Sequence, residues 1–300
     1  MKLTVLGNNS ALPAFGRHPT AQVVSVYGDL LLIDCGESTQ IQLQRFGLKW
    51  RKIEHIFISH MHGDHYFGLP GLINSMSLLG RVAPLHLYGP AELEPIIQQI
   101  LKVADTVLSY PFHFHALPED SQVLVEEEYY KVTCFPVSHR IFCHGFVVEQ
   151  KSKGRKILPE KCRENEIPLY FYDRLKKGED YETKDGRIIK NEWVTIEGPE
   201  EKKYAYCADT IFTDSYLQYI KDADTIYHEA TYLEKDAQKA ADRFHTTAKQ
   251  AAEMAKMANA KQLLLGHFSS KYRELEPFKE EASEIFPNVV VTIEGTTYDI

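Results

Sequence analysis

The sequence predicts an α/β protein: an αββα sandwich, two sheets each covered by helices, formed by residues 1–300 as one domain with an inserted arm at 151–203. Three observations carry this. Short apolar segments of strand length alternate with longer segments of helical character along most of the chain. Metal-capable side chains (the His60 loop, His139, Asp209 and His267) each stand just past an apolar strand. A two-sheet sandwich needs that placement if both sheets are to deliver ligands to one edge. Residues 151–203 break the pattern, being polar and carrying Gly154, Gly178, Gly186 and Gly198.

Leu3 to Gly7 opens the chain as a strand, and Asn8 to Pro19 is a loop. Val23 to Tyr27 and Leu30 to Ile33 form a hairpin around Gly28-Asp29. The second of these strands runs into Asp34. This acid has two roles open to it, capping a helix over Ser38 to Phe46 or orienting a metal ligand from behind. Ile56-Phe57-Ile58 is a short buried strand, and Leu69 to Leu79 and Ala91 to Ala104 are helices flanking a strand at Leu85 to Tyr88. Phe112 to Leu117 alternates as a strand with His113 and His115 on one face, read as a solvated or hydrogen-bonded face because no third ligand follows them. Strands follow at Tyr130 to Phe135, Phe146 to Glu149, Lys203 to Cys207, Thr225 to Tyr227, Gln262 to Leu265 and Val289 to Thr292. Helices follow at Ala248 to Ala258, where Thr247 and Gln250 have capping-box spacing, and at Glu276 to Phe286.

Bulk properties narrow the function classes. At 44% apolar and 25% charged, the composition is that of a soluble globular protein. No apolar run approaches the ~20 residues that span a membrane. Met1 to Gly7 reads as a strand and not as a signal peptide, so a cytoplasmic location is expected. The five cysteines are scattered with no Cys-x-x-Cys pair, as in buried thiols of a reducing compartment. A net charge of −8 weighs against broad nucleic-acid affinity. The arm is the exception: it nets +2, with Lys151, Lys153, Arg155, Lys156, Lys161 and Arg163 facing only Glu160 over 151–163, and Tyr170, Phe171 and Tyr172 close by. Basic residues beside aromatics suit an RNA backbone and unstacked bases.

The chemistry centres on Ser59-His60-Met61-His62-Gly63-Asp64-His65. Four metal-capable side chains fall in six positions directly after a strand, and imidazole with carboxylate suits zinc or manganese. Gly63 is expected to give the backbone freedom for a tight turn. His139 is preferred to His144 as a further ligand because it stands nearer its strand end. Asp209 and His267 stand past later strands.

The His-x-His-x-Asp-His pattern resembles the signature of the metallo-β-lactamase superfamily. The last third of the chain sharpens this. His228-Glu229-Ala230-Thr231, His245-Thr246-Thr247-Ala248 and Gly266-His267-Phe268-Ser269-Ser270-Lys271-Tyr272 resemble signature blocks of the tRNase Z family, short form. The chain departs from that pattern at Asn8-Asn9, at Leu169-Tyr170-Phe171-Tyr172 in the arm, and at Lys271.

The resemblance implies two Zn²⁺ per chain, with Mn²⁺ or another divalent ion as substitutes. His60, His62 and His139 would hold one ion, Asp64, His65 and His267 the other, with Asp209 bridging. It further implies a homodimer and an endoribonuclease that removes the 3′ trailer of precursor tRNA. Asp64 would accept a proton from the attacking water. His245, oriented by Glu229, would protonate the leaving 3′-oxygen. Two rival readings stand beside it: another binuclear-zinc hydrolase of the same fold, such as a small-molecule phosphodiesterase or thioesterase, and a metal-free binding scaffold.

Overall fold

A computed structural model describes residues 1–300. Strand β1 (Lys2–Gly7) pairs antiparallel with β2 (Ala21–Val26), which returns as β3 (Asp29–Cys35). Tyr27 and Gly28 both take positive φ in the turn between β2 and β3, the backbone that matches strand twist in a two-residue hairpin. Three parallel strands follow: β4 (Ile53–Phe57), β5 (Leu85–Gly89) and β6 (Phe112–Ala116). Leu31 to Ile33 and Ile56 to Ile58 are fully buried on both faces, which is why they read as unbroken apolar runs rather than alternating ones.

The second sheet keeps chain order across its width: β7 (Gln122–Glu126), β8 (Tyr130–Pro136), β9 (His144–Gln150), β10 (Lys202–Tyr206), β11 (Thr225–Glu229), β12 (Gln262–Gly266) and β13 (Val289–Val291). Strand β14 (Thr297–Asp299) returns to the first sheet beside β1. The sequence reading contains neither β7 nor β14. Val123 in β7 is exposed, and β14 is short with exposed ends, so neither has a complete apolar face to betray it.

Three apolar layers hold the sandwich. Between the sheets, Leu31, Ile33, Phe57, Val132, Phe146, Tyr204 and Tyr206 interdigitate. Outside the first sheet lie α1 (Thr39–Arg45), α2 (Gly63–Tyr66), α3 (Leu69–Leu78) and α4 (Leu93–Val103), of which α1, α3 and α4 bury Leu43, Leu72, Ile73, Met76 and Ile97. Outside the second, α5 (Ala248–Met257) and α6 (Glu276–Ser283) bury Ala251, Ala252, Met254, Ala255 and Phe278. The Thr247 hydroxyl and the Gln250 side chain close a capping box at the start of α5.

Two local readings change. Gly63 does not take the left-handed conformation expected of a tight turn; it opens α2, and a Cβ there would lie 2.1 Å from the Phe67 ring. Its role is to let that ring approach the backbone. The arm between β9 and β10 is not irregular. It folds as a small unit closed by pairing Lys156–Ile157 with Thr195–Ile196, around Cys162, Ile167, Phe171, Leu175, Ile189 and Val194. These six apolar residues are spaced too widely in a polar sequence to show a period. At its neck the backbones cross so closely that a Cβ on Gly198 would fall 1.8 Å from the Gly154 carbonyl oxygen.

Candidate metal centre

Four strand ends and the turns after them, at one edge of the sandwich, bring together every predicted ligand. His60, His62, Asp64 and His65 follow β4, His139 follows β8, Asp209 follows β10 and His267 follows β12. Asp34, Ala208 and His267 all take positive φ, at 55°, 50° and 58°. Each such residue costs on the order of 1–2 kcal/mol, and all three sit where a strand must end abruptly to aim a side chain at the site.

The first set is His60, His62 and His139. His60 Nε2 lies 3.0 Å from His62 Nδ1, and His139 Nε2 lies 3.2 Å from the same atom. The second set is Asp64, His65 and His267, with His65 Nε2 to His267 Nε2 at 3.3 Å and His267 Nε2 to Asp64 Oδ2 at 3.4 Å. Asp209 lies between them: its Oδ2 is 3.6 Å from His60 Nε2 and 3.5 Å from His65 Nε2, and its Oδ1 is 3.3 Å from His267 Nε2. In each set the ligand atoms lie within 4.8 Å of one another. Asp209 Oδ1 is buried without a hydrogen-bond partner, a condition that a cation relieves.

The tautomers follow from what stands behind each ring. Asp34, fully buried, accepts from the Ser59 amide at 2.8 Å, the Ser59 hydroxyl at 2.9 Å and the Tyr206 hydroxyl at 2.5 Å. It also faces His65 Nδ1 at 2.8 Å, so that nitrogen carries the proton. Having donated to Asp34, the Ser59 hydroxyl accepts from His60 Nδ1 at 3.0 Å. Thr231 donates to Glu229 Oε2 at 2.5 Å and accepts from His267 Nδ1 at 2.9 Å. The Phe244 carbonyl accepts from His139 Nδ1 at 3.0 Å. In all four histidines Nε2 is left with a free lone pair pointing inward, the state a metal ligand requires. His62 differs, presenting Nδ1. Asp34 thus backs His65 and does not cap α1, whose first position is Ser38 in a left-handed conformation with no side-chain cap.

Charge in the site is arranged for cations. Burial, with the neighbouring histidines, pushes His60 well below the usual imidazole range and His62 to about 4. Burial pulls Asp209 and Asp64 upward and His65 downward, but the carboxylates of Asp209, Asp34 and Asp64 raise His65 well above the usual imidazole range, and its charge, with His267, keeps Asp209 and Asp64 ionised; a bound cation takes the place of that second proton.

Glu229 and His245 form a pair beside the ligands, with His245 near enough to Asp209 and His267 to make a third potential ligand set. Glu229 is buried and accepts from the Thr210 amide and from His245 Nδ1, both at 2.9 Å. Burial works against a charge on His245, but Glu229 lifts it to about 9. His245 lines the same cleft as His62, Asp64, His139 and Asp209, together with Arg140 and Arg243. Arg140 reaches His62 Nε2 at 3.3 Å.

The structure brings together all the predicted site residues. His144 stays outside the clusters: it is buried at the start of β9 against Phe142, with neither ring nitrogen paired. Ser59, Tyr206, Thr231, Arg140 and Arg243 are the site residues that sequence reasoning did not assign. Ser59 and Thr231 had a signal, as the first residue of the Ser59-to-His65 stretch and the last of the His228-Glu229-Ala230-Thr231 block.

A family profile described as Anti-Pycsar protein Apyc1 matches residues 1–152, the part that carries the His60 loop and His139. Ribonuclease Z of Parabacteroides distasonis is 40% identical over 294 residues, covering 98% of this chain and 97% of that protein. Ribonuclease Z of Cytophaga hutchinsonii is 42% identical over 300 residues, covering 99% and 95%. Among solved structures, human tRNase Z, short form, superposes with a TM-score of 0.73 at 27% identity, covering 100% of this chain and 99% of that one. The metallo-β-lactamase fold protein YhfI of Bacillus subtilis gives 0.70 at 19% identity, covering 99% of each, a likeness of fold. The chain belongs to the ribonuclease Z family and carries its metallo-β-lactamase fold.

Proposed function

We propose that this chain is a tRNA 3′-processing endoribonuclease that removes the 3′ trailer from precursor tRNA, leaving a 3′-hydroxyl on the tRNA and a 5′-phosphate on the trailer. The reading includes two Zn²⁺ per chain, with Mn²⁺ or another divalent ion able to substitute, a homodimeric assembly and action in the cytoplasm. The observation that carries it is the conjunction of two ligand sets with the Glu229–His245 pair in one cleft. The donor set fits such ions: five imidazole nitrogens and two carboxylates, with the buried Asp209 Oδ1 lacking any other partner.

When bound, the ions acidify a water and neutralise the charge on the phosphate. The rest falls to the protein. Asp64, whose Oδ2 accepts from the Ala11 amide at 2.7 Å and is thereby held 3.4 Å from His267 Nε2, would take the proton of the attacking water. The water oxygen bonds to phosphorus opposite the 3′-oxygen, and the bond from phosphorus to that oxygen breaks. His245, its Nδ1 held by Glu229, gives the Nε2 proton to the departing oxygen. Arg140 and Arg243 line the cleft as cations for the flanking phosphates.

The test is incubation of the zinc-loaded protein with a 3′-extended precursor tRNA, followed by mapping of the cut and its end groups. One cut at the trailer junction, with a 3′-hydroxyl and a 5′-phosphate, is expected. Hydrolysis of a small phosphodiester with the precursor left intact would overturn the tRNA reading in favour of a small-molecule phosphodiesterase.

A further inference from the structure

The inner face of the first sheet carries a group of imidazoles that the hydrolytic site does not use. His55, His86 and His113 stand in register on β4, β5 and β6, and His115 stands two residues further on, opposite Tyr88. The rings stack: His55 to His86 at 5.3 Å, His86 to His113 at 4.9 Å, His86 to His115 at 5.2 Å and Tyr88 to His115 at 4.5 Å between centroids. The third histidine absent from the sequence around His113 and His115 comes from the neighbouring strand. The group is set apart from the metal centre across the sheet, on β5 and β6 beyond β4, the strand that leads into the ligand loop. His55 precedes His60 by five residues of extended chain, roughly 16 Å.

One separation here matches those of the metal centre. His86 Nδ1 lies 2.9 Å from His115 Nε2, against 3.0 and 3.2 Å for the nitrogens of His60, His62 and His139. Two imidazole nitrogens about 2.0–2.1 Å from one ion stand about 2.9–3.3 Å apart. Ring spacing agrees as well: 4.7 to 5.1 Å among His60, His62 and His139. The difference is tilt. The catalytic rings meet at 72° to 86°, whereas His86 is inclined by only 20° to His115 and 26° to His113. Two nitrogens therefore converge now, and His113 is exposed and free to turn about its χ2.

We propose that His86 and His115, joined by His113, form a transition-metal site distinct from the hydrolytic centre, taking a borderline divalent cation of the zinc, nickel or copper(II) class. Such an ion clips β6, the edge strand of the sheet, to β5. Burial and mutual repulsion lower His55, His86 and His115 below the usual imidazole range, which leaves them neutral, as ligands must be. The carboxylates of Glu54 and Glu127 act on His86 and Tyr88 respectively and favour a cation there. The simpler reading of the 2.9 Å pair is one N–H···N hydrogen bond, and the experiment separates the two.

Full-length protein is dialysed against graded zinc, and bound metal is counted per chain for the wild type, His86→Phe and His115→Phe. Phenylalanine keeps the ring stack. The expected result is one equivalent fewer in each variant, with phosphodiester hydrolysis unchanged. Equal metal content in wild type and variants overturns the site and leaves a hydrogen bond only. Imidazole ¹H–¹⁵N spectra of the wild type, followed through the last equivalent of zinc, test the same point without a substitution. Shifts of His86 and His115 support the site, and unmoved resonances overturn it.

Discussion

Asp34→Asn isolates the part of the metal centre that works through tautomers. The wild-type carboxylate offers Oδ1 to the Ser59 amide, and Oδ2 to the Ser59 hydroxyl, the Tyr206 hydroxyl and His65 Nδ1–H. An amide of the same shape keeps the first contact and places an NH₂ group where Oδ2 stood. Both hydroxyls can rotate to accept from it. His65 has no such rotation: to accept at Nδ1 it must move its proton to Nε2, the atom that faces Asp64 and Asp209. The lone pair needed for the second metal is then blocked. Loss of such an orienting partner costs about 10–100-fold in metal affinity, which is about 1.4–2.8 kcal/mol. Asp34→Ala is the poorer test. It strips the acceptor from four buried donors at ~1–3 kcal/mol each, and unfolding would mask the metal effect. Competition dialysis against a chelator, with zinc counted per chain, is the assay for Asp34→Asn. One tightly held equivalent should remain on His60, His62 and His139 while the other weakens. Unchanged affinity for both would refute the tautomer argument.

The remaining predictions concern the cleft and the arm. His245→Ala should slow turnover by about 10²–10⁴-fold with metal content intact. Because Glu229 raises His245 to about 9, its acid form is present at neutral pH, and kcat/KM should fall as pH rises through the folded value. Two nearby cations shift that limb to about 9 or below, and Glu229→Gln should move it further toward acid. A limb unmoved by Glu229→Gln would assign it to another group. Deleting residues 155–195 and closing the chain at the Gly154–Gly198 neck should weaken precursor tRNA cleavage while sparing a small phosphodiester; equal loss of both would remove the arm from RNA binding.

The sandwich was legible because its central strands are buried on both faces, so Leu31 to Ile33, Ile56 to Ile58 and Leu263 to Leu265 stand out as apolar runs. The ligands were legible because each follows such a run. The residues behind them were not. Ser59 and Tyr206 are ordinary strand-end residues in sequence; the neighbouring strand β4 brings Ser59 to Asp34 from 25 residues away, and the facing sheet brings Tyr206 from 172. The stacked histidines failed in the same way. His113 and His115 share a face by alternation, but their register against His55 and His86 is a property of the folded sheet.

The arm shows how a charge count misleads when pairing is unknown. Of the six cations that looked free over 151–163, Lys151 pairs with Glu126, Arg155 with Glu197 and Lys161 with Glu164, and Lys153 sits over the rings of Tyr27 and Tyr129. Phe171 is in the small core, while Tyr170 is 79% exposed and Leu169 78%. An RNA contact in this region therefore starts from Lys156, Arg163 and Tyr170. The remaining cations are available at a modest cost, since exposed ion pairs are worth only ~0–1 kcal/mol and a phosphate competes with the carboxylate for the same donor. That ordering reconciles the net charge of −8 with an RNA substrate. Under the proposed function, the acidic body would repel the polyanion while Arg140 and Arg243 attract it at the cleft, and the arm, netting +2, would add a few unpaired cations and an exposed ring. Binding of that kind depends on a few local phosphate contacts, so its salt dependence is shallower than the arm's 14 basic residues alone would imply.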